Sequence, residues 1–148
     1  MSSERRKIGQ LLVQMTRLFR QELFAQLSTQ PGLTGIRPAH LPVFANMARG
    51  GKRLTDLAEA ASMSLSAMQE LVDELHRRGF VERRLDPRDR RAKLIVLTEE
   101  GRAALAPAAA ITARLERDYA QRIGKARFEA MCSAMNELID DLLADEKD

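Results

Sequence analysis

The chain is poor in the residues that carry covalent and metal chemistry. A single cysteine, Cys132, excludes an internal disulfide framework and offers no thiolate cluster to a metal. The two histidines, His40 and His76, stand at no metal-ligand spacing from a partner. There is no glycine-rich phosphate loop and no nucleophile with a plausible base, so no catalytic residue is assigned and an enzyme is not expected. No cofactor and no metal are expected either. Apolar runs fall far short of a membrane span, and the N-terminus lacks the apolar core of a signal peptide. The expected location is the cytoplasm, with no membrane partner. Internal repeats and low-complexity linkers are missing too.

What is present is a 148-residue chain, 45% hydrophobic and 30% charged, with enough apolar side chains for a real core and the length of one domain. Its net charge of +3 conceals an asymmetry. Between Arg77 and Lys93 eight bases stand against three acids, whereas from Glu129 to Asp148 seven acids stand against one base. A basic middle and an acidic end suit one surface for an anionic partner and another kept away from it.

Periodicity predicts a mainly α chain of five to six helices with one small antiparallel β-hairpin. Ile8, Leu11, Leu12, Met15, Phe19, Leu23 and Leu27 recur at steps of three and four, the stripe of a helix from Ile8 to Leu27. Punctuation at Gln30-Pro31-Gly32 and Gly35 ends it. A short helix follows from Pro38 to about Ala48, closed by Gly50-Gly51. Next come a short helix over 55–61, a tight corner at Ser62-Met63, and a helix capped by Ser64 that runs to about Arg78. Met68, Leu71, Val72 and Leu75 form its apolar face, and Gly79 stops it. After the hairpin, Thr98-Glu99-Glu100 is a favourable helix start for a segment reaching about Tyr119, with Pro107 as an expected kink. A last helix spans 126–144, with Phe128, Met131, Cys132, Met135, Leu138, Ile139, Leu142 and Leu143 on one stripe. By that register Cys132 is expected to be a buried structural thiol.

The hairpin is the most telling segment. VERRL and KLIVL read as strands over 81–85 and 93–97, around an Asp-Pro-Arg-Asp-Arg-Arg tip. Arg88, Arg90, Arg91 and Lys93 crowd that tip, and a narrow basic ribbon suits a phosphate backbone or a minor groove. Short helix, tight turn, longer helix and basic hairpin is the order of a winged helix-turn-helix. In that order the second helix lies in a major groove with its N-terminal residues facing base edges. The residues there are small and polar, and Gln69 carries both a donor and an acceptor suited to adenine.

The run LTDLAEAASMSLSAMQELVDELHRRGFVERRLDPRDRRAKLIVLTEEGR resembles the DNA-binding lobe of the MarR family of bacterial transcription regulators. The flanking helices match in number and order, and Asp-x-x-Asp-Arg-Arg followed by a strand and Leu-Thr-Glu-Glu-Gly is fairly specific. The resemblance implies one MarR-like domain over 1–148, with a winged helix-turn-helix over 38–100 and dimerisation helices over 1–30 and 120–148. It implies a sequence-specific regulator that binds duplex DNA as a homodimer on a pseudo-palindromic operator, most often as a ligand-responsive repressor. The expected DNA-facing residues are Ser62, Ser64, Leu65, Ser66, Ala67, Gln69 and Glu70 at the reading helix, and Arg84, Arg88, Arg90, Arg91 and Lys93 on the wing. Arg90 is the candidate for minor-groove insertion, and Asp89 is expected to pair with Arg91 and brace the tip. Of Arg83 and Arg84, one is expected to face phosphate and one to support the strand. Glu70 departs from many family members, which carry a basic or polar residue there.

A lobe from Leu54 to Leu97 could hardly cover both terminal stripes. A second copy could bury them, through Ile8, Leu11, Leu12 and Met15 on the first helix and Met131, Met135, Leu138, Ile139 and Leu142 on the last. The resemblance also implies a small, often aromatic or phenolic, anion as ligand. Phe19, His40, Phe44 and Met47 are the candidate wall, with ordinary core as the competing reading. Two alternatives stay open: a redox-responsive regulator acting through Cys132, and a winged-helix module that holds protein. The second needs an exposed apolar patch on the reading helix, where only Leu65 offers one.

Overall fold

The computed structural model describes residues 5–47 and 50–146. The predicted helix end at Ala48 and the extreme ends of both predicted dimerisation segments lie outside the described residues. Helix α1 (Ile8–Leu27) is covered unevenly along its stripe. Leu27 is buried, Phe19 and Leu23 are half-buried, and Ile8, Leu11, Leu12 and Met15 are exposed.

Two single 3₁₀ turns follow, Pro31–Leu33 and Pro38–His40, and then α2 (Leu41–Ala45). The one helix predicted from Pro38 onward is therefore a turn and a five-residue helix. Pro42 explains the difference. It has no N–H for the carbonyl of Pro38, which takes the N–H of Leu41 instead and tightens that turn.

A strand that the sequence reading lacks comes next: β1 (Lys52–Arg53), too short to show alternation. It pairs antiparallel with β3, Lys52 opposite Ile95 and Arg53 opposite Leu94. Helix α3 (Leu54–Ala60) and helix α4 (Leu65–Arg77) enclose the corner. There Ser62 takes φ 53°, the left-handed conformation that glycine usually supplies. Two bonds close the end of α3, Ser62 N–H to Glu59 O at 3.0 Å and Met63 N–H to Ala58 O at 2.8 Å. The end of α4 repeats the pattern, with Gly79 N–H to His76 O at 2.9 Å and Phe80 N–H to Leu75 O at 3.0 Å.

The wing is β2 (Val81–Asp86) and β3 (Asp89–Leu97), in a three-stranded sheet of order β1-β3-β2. Only Pro87 and Arg88 remain between the strands, so the predicted long basic tip is a tight turn, with a register irregularity between Leu85 and Asp86. Arg90 and Arg91 lie in β3. Helix α5 (Glu99–Ile123) runs through Pro107 and past the predicted end at Tyr119. Helix α6 (Lys125–Asp145) follows Gly124. Thr98 clamps the root of the wing: its N–H donates to Phe80 O at 3.0 Å, its hydroxyl donates to Gly79 O, and its Oγ1 accepts from Gly101 N–H at 2.9 Å. Gly101 must be glycine, because a Cβ there would run into the carbonyl oxygen of Phe80. These bonds are the physical content of the Leu-Thr-Glu-Glu-Gly motif.

The chain divides into two compact units, Met1–Ala108 and Ala109–Asp148, with the division inside α5. In the first, Leu57, Met68, Leu71, Val72, Leu75, Val81, Ile95 and Val96 form the core between helices and sheet. In the second, Ile111, Leu115 and Phe128 are buried. Of the fifteen large apolar side chains exposed among the described residues, six lie on α1 and six on α6. No helix among the described residues is long and apolar enough to cross a membrane.

Candidate nucleic-acid interface

The candidate interface consists of the N-terminal half of α4 and the wing. Ser64 sits in extended conformation ahead of α4 and its Oγ accepts the N–H of Ala67 at 3.1 Å, a cap that leaves its own O–H free to donate outward. Ser66, Gln69, Glu70 and Asp73 follow at helical spacing on the side opposite Met68, Leu71, Val72 and Leu75. Ser66 and Glu70 are exposed, Ala67 and Gln69 half-buried. Leu65 is 50% exposed and is the one large apolar side chain on α4 with that exposure.

The Gln69 amide nitrogen donates to Oδ1 of Asp73 at 2.9 Å. The same oxygen accepts Nη2 of Arg83 at 2.6 Å, which ties α4 to β2. The Arg83 guanidinium, then the Gln69 amide, hold the Asp73 carboxyl below the ordinary carboxylate range. Arg84 pairs instead with Glu82, two residues back on the same strand. Of the two arginines, Arg83 supports the strand from α4 and Arg84 stands outward with 63% of its side chain exposed.

At the turn, Asp86 is the buried acid. Its Oδ1 accepts the N–H of Arg88 at 2.9 Å, and its Oδ2 accepts Nε and Nη2 of Arg53 at 3.1 and 2.8 Å. The Arg88 N–H and the Arg53 guanidinium together keep its carboxyl ionised below the usual range. Asp89 accepts the backbone N–H of Arg91 at 3.0 Å, so its bond to Arg91 runs through the main chain and not through the guanidinium. Its nearest charged partner is Arg53, at 3.9 Å. Arg53 thus braces the turn from β1. The sequence reading missed it, because nothing local links two residues 33 apart.

Arg88, Arg90, Arg91 and Lys93 are exposed, and no salt bridge among the described residues involves them. Strand alternation places Arg91 and Lys93 on one face of β3 and Arg90 on the other. Among the described residues the unpaired positive charge of the wing is therefore at Arg88, Arg90, Arg91 and Lys93, while Arg83 and Arg84 on β2 and Arg53 beside the turn are paired.

The four candidate ligand-wall residues lie at different depths. His40 is fully buried: its Nδ1 accepts the N–H of Arg37 at 2.9 Å and its Nε2 meets Oε2 of Glu74 at 2.8 Å. With Nδ1 accepting, the proton sits on Nε2 and is donated to Glu74, which Arg37 also grips at 2.6 Å. Burial pushes the His40 pKa below its ordinary value, with Glu74 working against it. Phe19, Phe44 and Met47 are half-buried. None of the four borders the groove of about 840 Å³ that runs beside α1, whose walls are apolar at Leu12, Val13, Phe24 and Pro38 and basic at Arg17 and Arg20. The expected burial of Cys132 is also corrected. The thiol is exposed, since Phe128 alone of the α6 stripe is buried and the register marks a face without supplying its cover.

The sequence model of the MarR family matches residues 33–92, from the first buried leucine after α1 to the middle of β3. Transcriptional regulator HosA of Escherichia coli O111:H- is 26% identical over 127 residues, which are 86% of this chain and 93% of HosA. The solved structure of transcriptional regulator PA3341 is 31% identical, with 94% of this chain and 99% of that one covered and a TM-score of 0.73. Two further structures are alike in fold at lower identity. A MarR transcriptional regulator from Methanosarcina mazei Go1 superposes with a TM-score of 0.73 at 16% identity, over 93% of this chain and 96% of its own. The transcriptional repressor CouR, solved on a 23-mer DNA duplex, gives 0.64 at 24% identity, over 90% of this chain and 92% of its own.

Proposed function

Since the chain belongs to the MarR family of transcription regulators, we propose that it acts in the cytoplasm as a homodimer that binds duplex DNA sequence-specifically and lets go on binding a small ligand. The observation that carries this reading is the pairing of a capped helix presenting small polar residues with a wing whose outer cations form no salt bridge among the described residues. In it, α4 enters a major groove and Ser64 through Glu70 meet base edges. Arg90, close to the turn that Asp86 caps, reaches into the adjacent minor groove, where guanidinium groups favour narrow A·T-rich stretches.

The exposed faces of α1 and α6 support the dimer, since six large apolar side chains on each would otherwise face water. Two-fold symmetry then sets two reading helices about one DNA turn apart and makes the operator an imperfect palindrome. The ligand is a small aromatic or phenolic anion that favours a dimer whose reading helices are mis-spaced for successive grooves. Repression follows where the operator overlaps a promoter.

Gel shift on the intergenic DNA upstream of the chain's own gene tests the reading. The expected result is salt-dependent, sequence-selective binding that Arg90→Ala weakens about tenfold or more while the dimer stays intact. Absence of selective binding by the unaltered chain would sink it. The exposure of Cys132 favours one second reading, release from DNA by oxidation of that thiol. Peroxide-driven release that persists in Cys132→Ser discards it.

A further inference from the structure

Three times along the wing an acid stands two residues ahead of an arginine: Glu82 and Arg84, Asp86 and Arg88, Asp89 and Arg91. The first pair closes on itself, with Arg84 Nε donating to Glu82 Oε1 at 2.6 Å. At the other two steps the acid accepts the arginine's backbone N–H, at 2.9 and 3.0 Å, and no salt bridge among the described residues holds the guanidinium. The spacing is the same and the outcome is opposite. What differs is Arg53, which reaches the two later acids from β1. Its Nε and Nη2 both donate to Oδ2 of Asp86, at 3.1 and 2.8 Å, and its Nη2 lies 3.9 Å from Oδ2 of Asp89. Glu82 has no salt bridge among the described residues except that to Arg84.

Asp86, Arg88 and Arg53 border one cleft of about 520 Å³, so the Arg88 guanidinium has the acid within its surroundings. After Arg53, Arg88 is the cation whose charge bears on the Asp86 carboxyl. One acceptor site on Asp86 Oδ1 stays open, so charge decides here and not hydrogen-bond capacity. The Asp86 side chain is 8% exposed and already holds one guanidinium. A second would give up its water for a carboxylate whose charge is already matched. Without Arg53 the same carboxylate is a buried charge with no counterion, and Arg88 stands where Arg84 stands to Glu82. The geometry points to Arg53 as a positioning residue for DNA binding: by matching the Asp86 charge from β1, it leaves the Arg88 guanidinium free to meet a phosphate. This rests on the reading of the wing as a DNA contact. It adds to that reading the residue that keeps one wing cation available.

Affinity measured against salt, on a duplex from the intergenic DNA upstream of the chain's own gene, tests the inference with the full-length chain and its variants. Arg53→Gln should lower affinity by roughly tenfold and flatten the slope of log affinity against log salt by about one for each wing bound, the mark of a lost phosphate contact. The same substitution should cost less than about twofold when Arg88 is already alanine, because the contact it removes is gone. It should cost as little in an Asp86→Asn background, where no carboxylate remains to capture Arg88. That background also leaves no unmatched buried charge, so it carries the test if Arg53→Gln alone unsettles the fold. A loss that persists at full size beside Asp86→Asn makes Arg53 itself a DNA contact and overturns the inference. A loss that persists beside Arg88→Ala means a displaced wing and overturns it as well, and so does unchanged affinity in Arg53→Gln. Each of these leaves DNA binding standing. Absence of salt-dependent, selective binding by the unaltered chain removes that reading, and the inference falls with it.

Discussion

Helices α4 and α6 are both amphipathic, and they use their apolar faces in opposite ways. On α4 the face is consumed inside the fold: Met68, Val72 and Leu75 are fully buried and Leu71 nearly so. On α6 Phe128 alone is buried, while Met131, Met135, Leu138, Ile139, Leu142 and Leu143 keep 42–55% of their surface. The starts differ as well. Helix α4 opens on a serine cap, whereas α6 opens on Gly124 at φ 94° with no side-chain cap. A periodic stripe therefore states which side of a helix is apolar, and only the surrounding chain decides whether that side is core or contact surface.

The largest effect expected from testing this contrast is at Leu75. Leu75→Ala should cost about 2–5 kcal/mol of unfolding free energy, read as a lowered denaturant midpoint, because the site is enclosed on all sides. Leu138→Glu should do something different in kind. It should shift sedimentation from two copies toward one while the helical circular dichroism persists. A variant that stays dimeric would remove the α6 face from the interface.

A smaller effect is expected at the cap. Ser64→Ala should cost about 1 kcal/mol and fray the first turn of α4. Hydrogen exchange at Ala67, whose N–H the serine holds, is the sensitive readout, and unchanged protection would mean that the cap contributes nothing.

Acidification separates the helices further, because α4 is anchored through His40 and Glu74. His40 is depressed below 6.5, so the unfolded chain takes up its proton first. That contribution is complete above about pH 6.5 and is lost as pH falls from there through the folded value. Asp73 and Glu74 are also depressed, from 3.8 and 4.5, and their contributions disappear only at lower pH. Denaturant midpoints followed downward from pH 7.5 should decline before the carboxylates titrate, and His40→Gln should flatten that first decline. A profile identical in the variant would show that His40 is not its source.

The smallest effect is at the helix-turn-helix corner. Ser62→Gly should relieve the left-handed backbone there and raise stability by roughly 0.5–1 kcal/mol, measurable as a small rise in Tm.

Most of the helical frame was legible because its signals are local. Ser64 and Gly79 act within a few residues of themselves, Thr98 takes the N–H of Gly101 three residues on, and each marks an element boundary that the structure also has. The corner at Ser62-Met63 belongs with them. Elements that depend on distant partners were not legible. Strand β1 exists because Lys52 and Arg53 meet Leu94 and Ile95. Arg53 bonds Asp86 from 33 residues away, and His40 bonds Glu74 from 34. His40 read as a possible wall of a cleft, yet both of its nitrogens are committed inside the fold. Cys132 failed for the reason that separates α6 from α4, since register gives the face and not its cover, and the thiol is exposed. Helix α4 itself was placed from its serine cap, its periodic apolar face and Gly79, whereas the carboxylate that holds the Gln69 amide is held in turn by a strand that arrives later in the sequence.

The clamp at Thr98 has a consequence for how this chain tolerates change. It bonds the residue leaving the hairpin to those entering it, so the span from Val81 to Leu97 is closed at its base before its length matters. A loop tied at its ends pays little extra for added residues near its apex. The apex is therefore a place where a graft could be added, whereas Val81, Ile95 and Val96 at the base of the span belong to the core. Two sockets must be kept: a cation at 83 for Asp73 and an acid at 86 for Arg53. Gly101 marks the seam at which such a graft has no freedom at all.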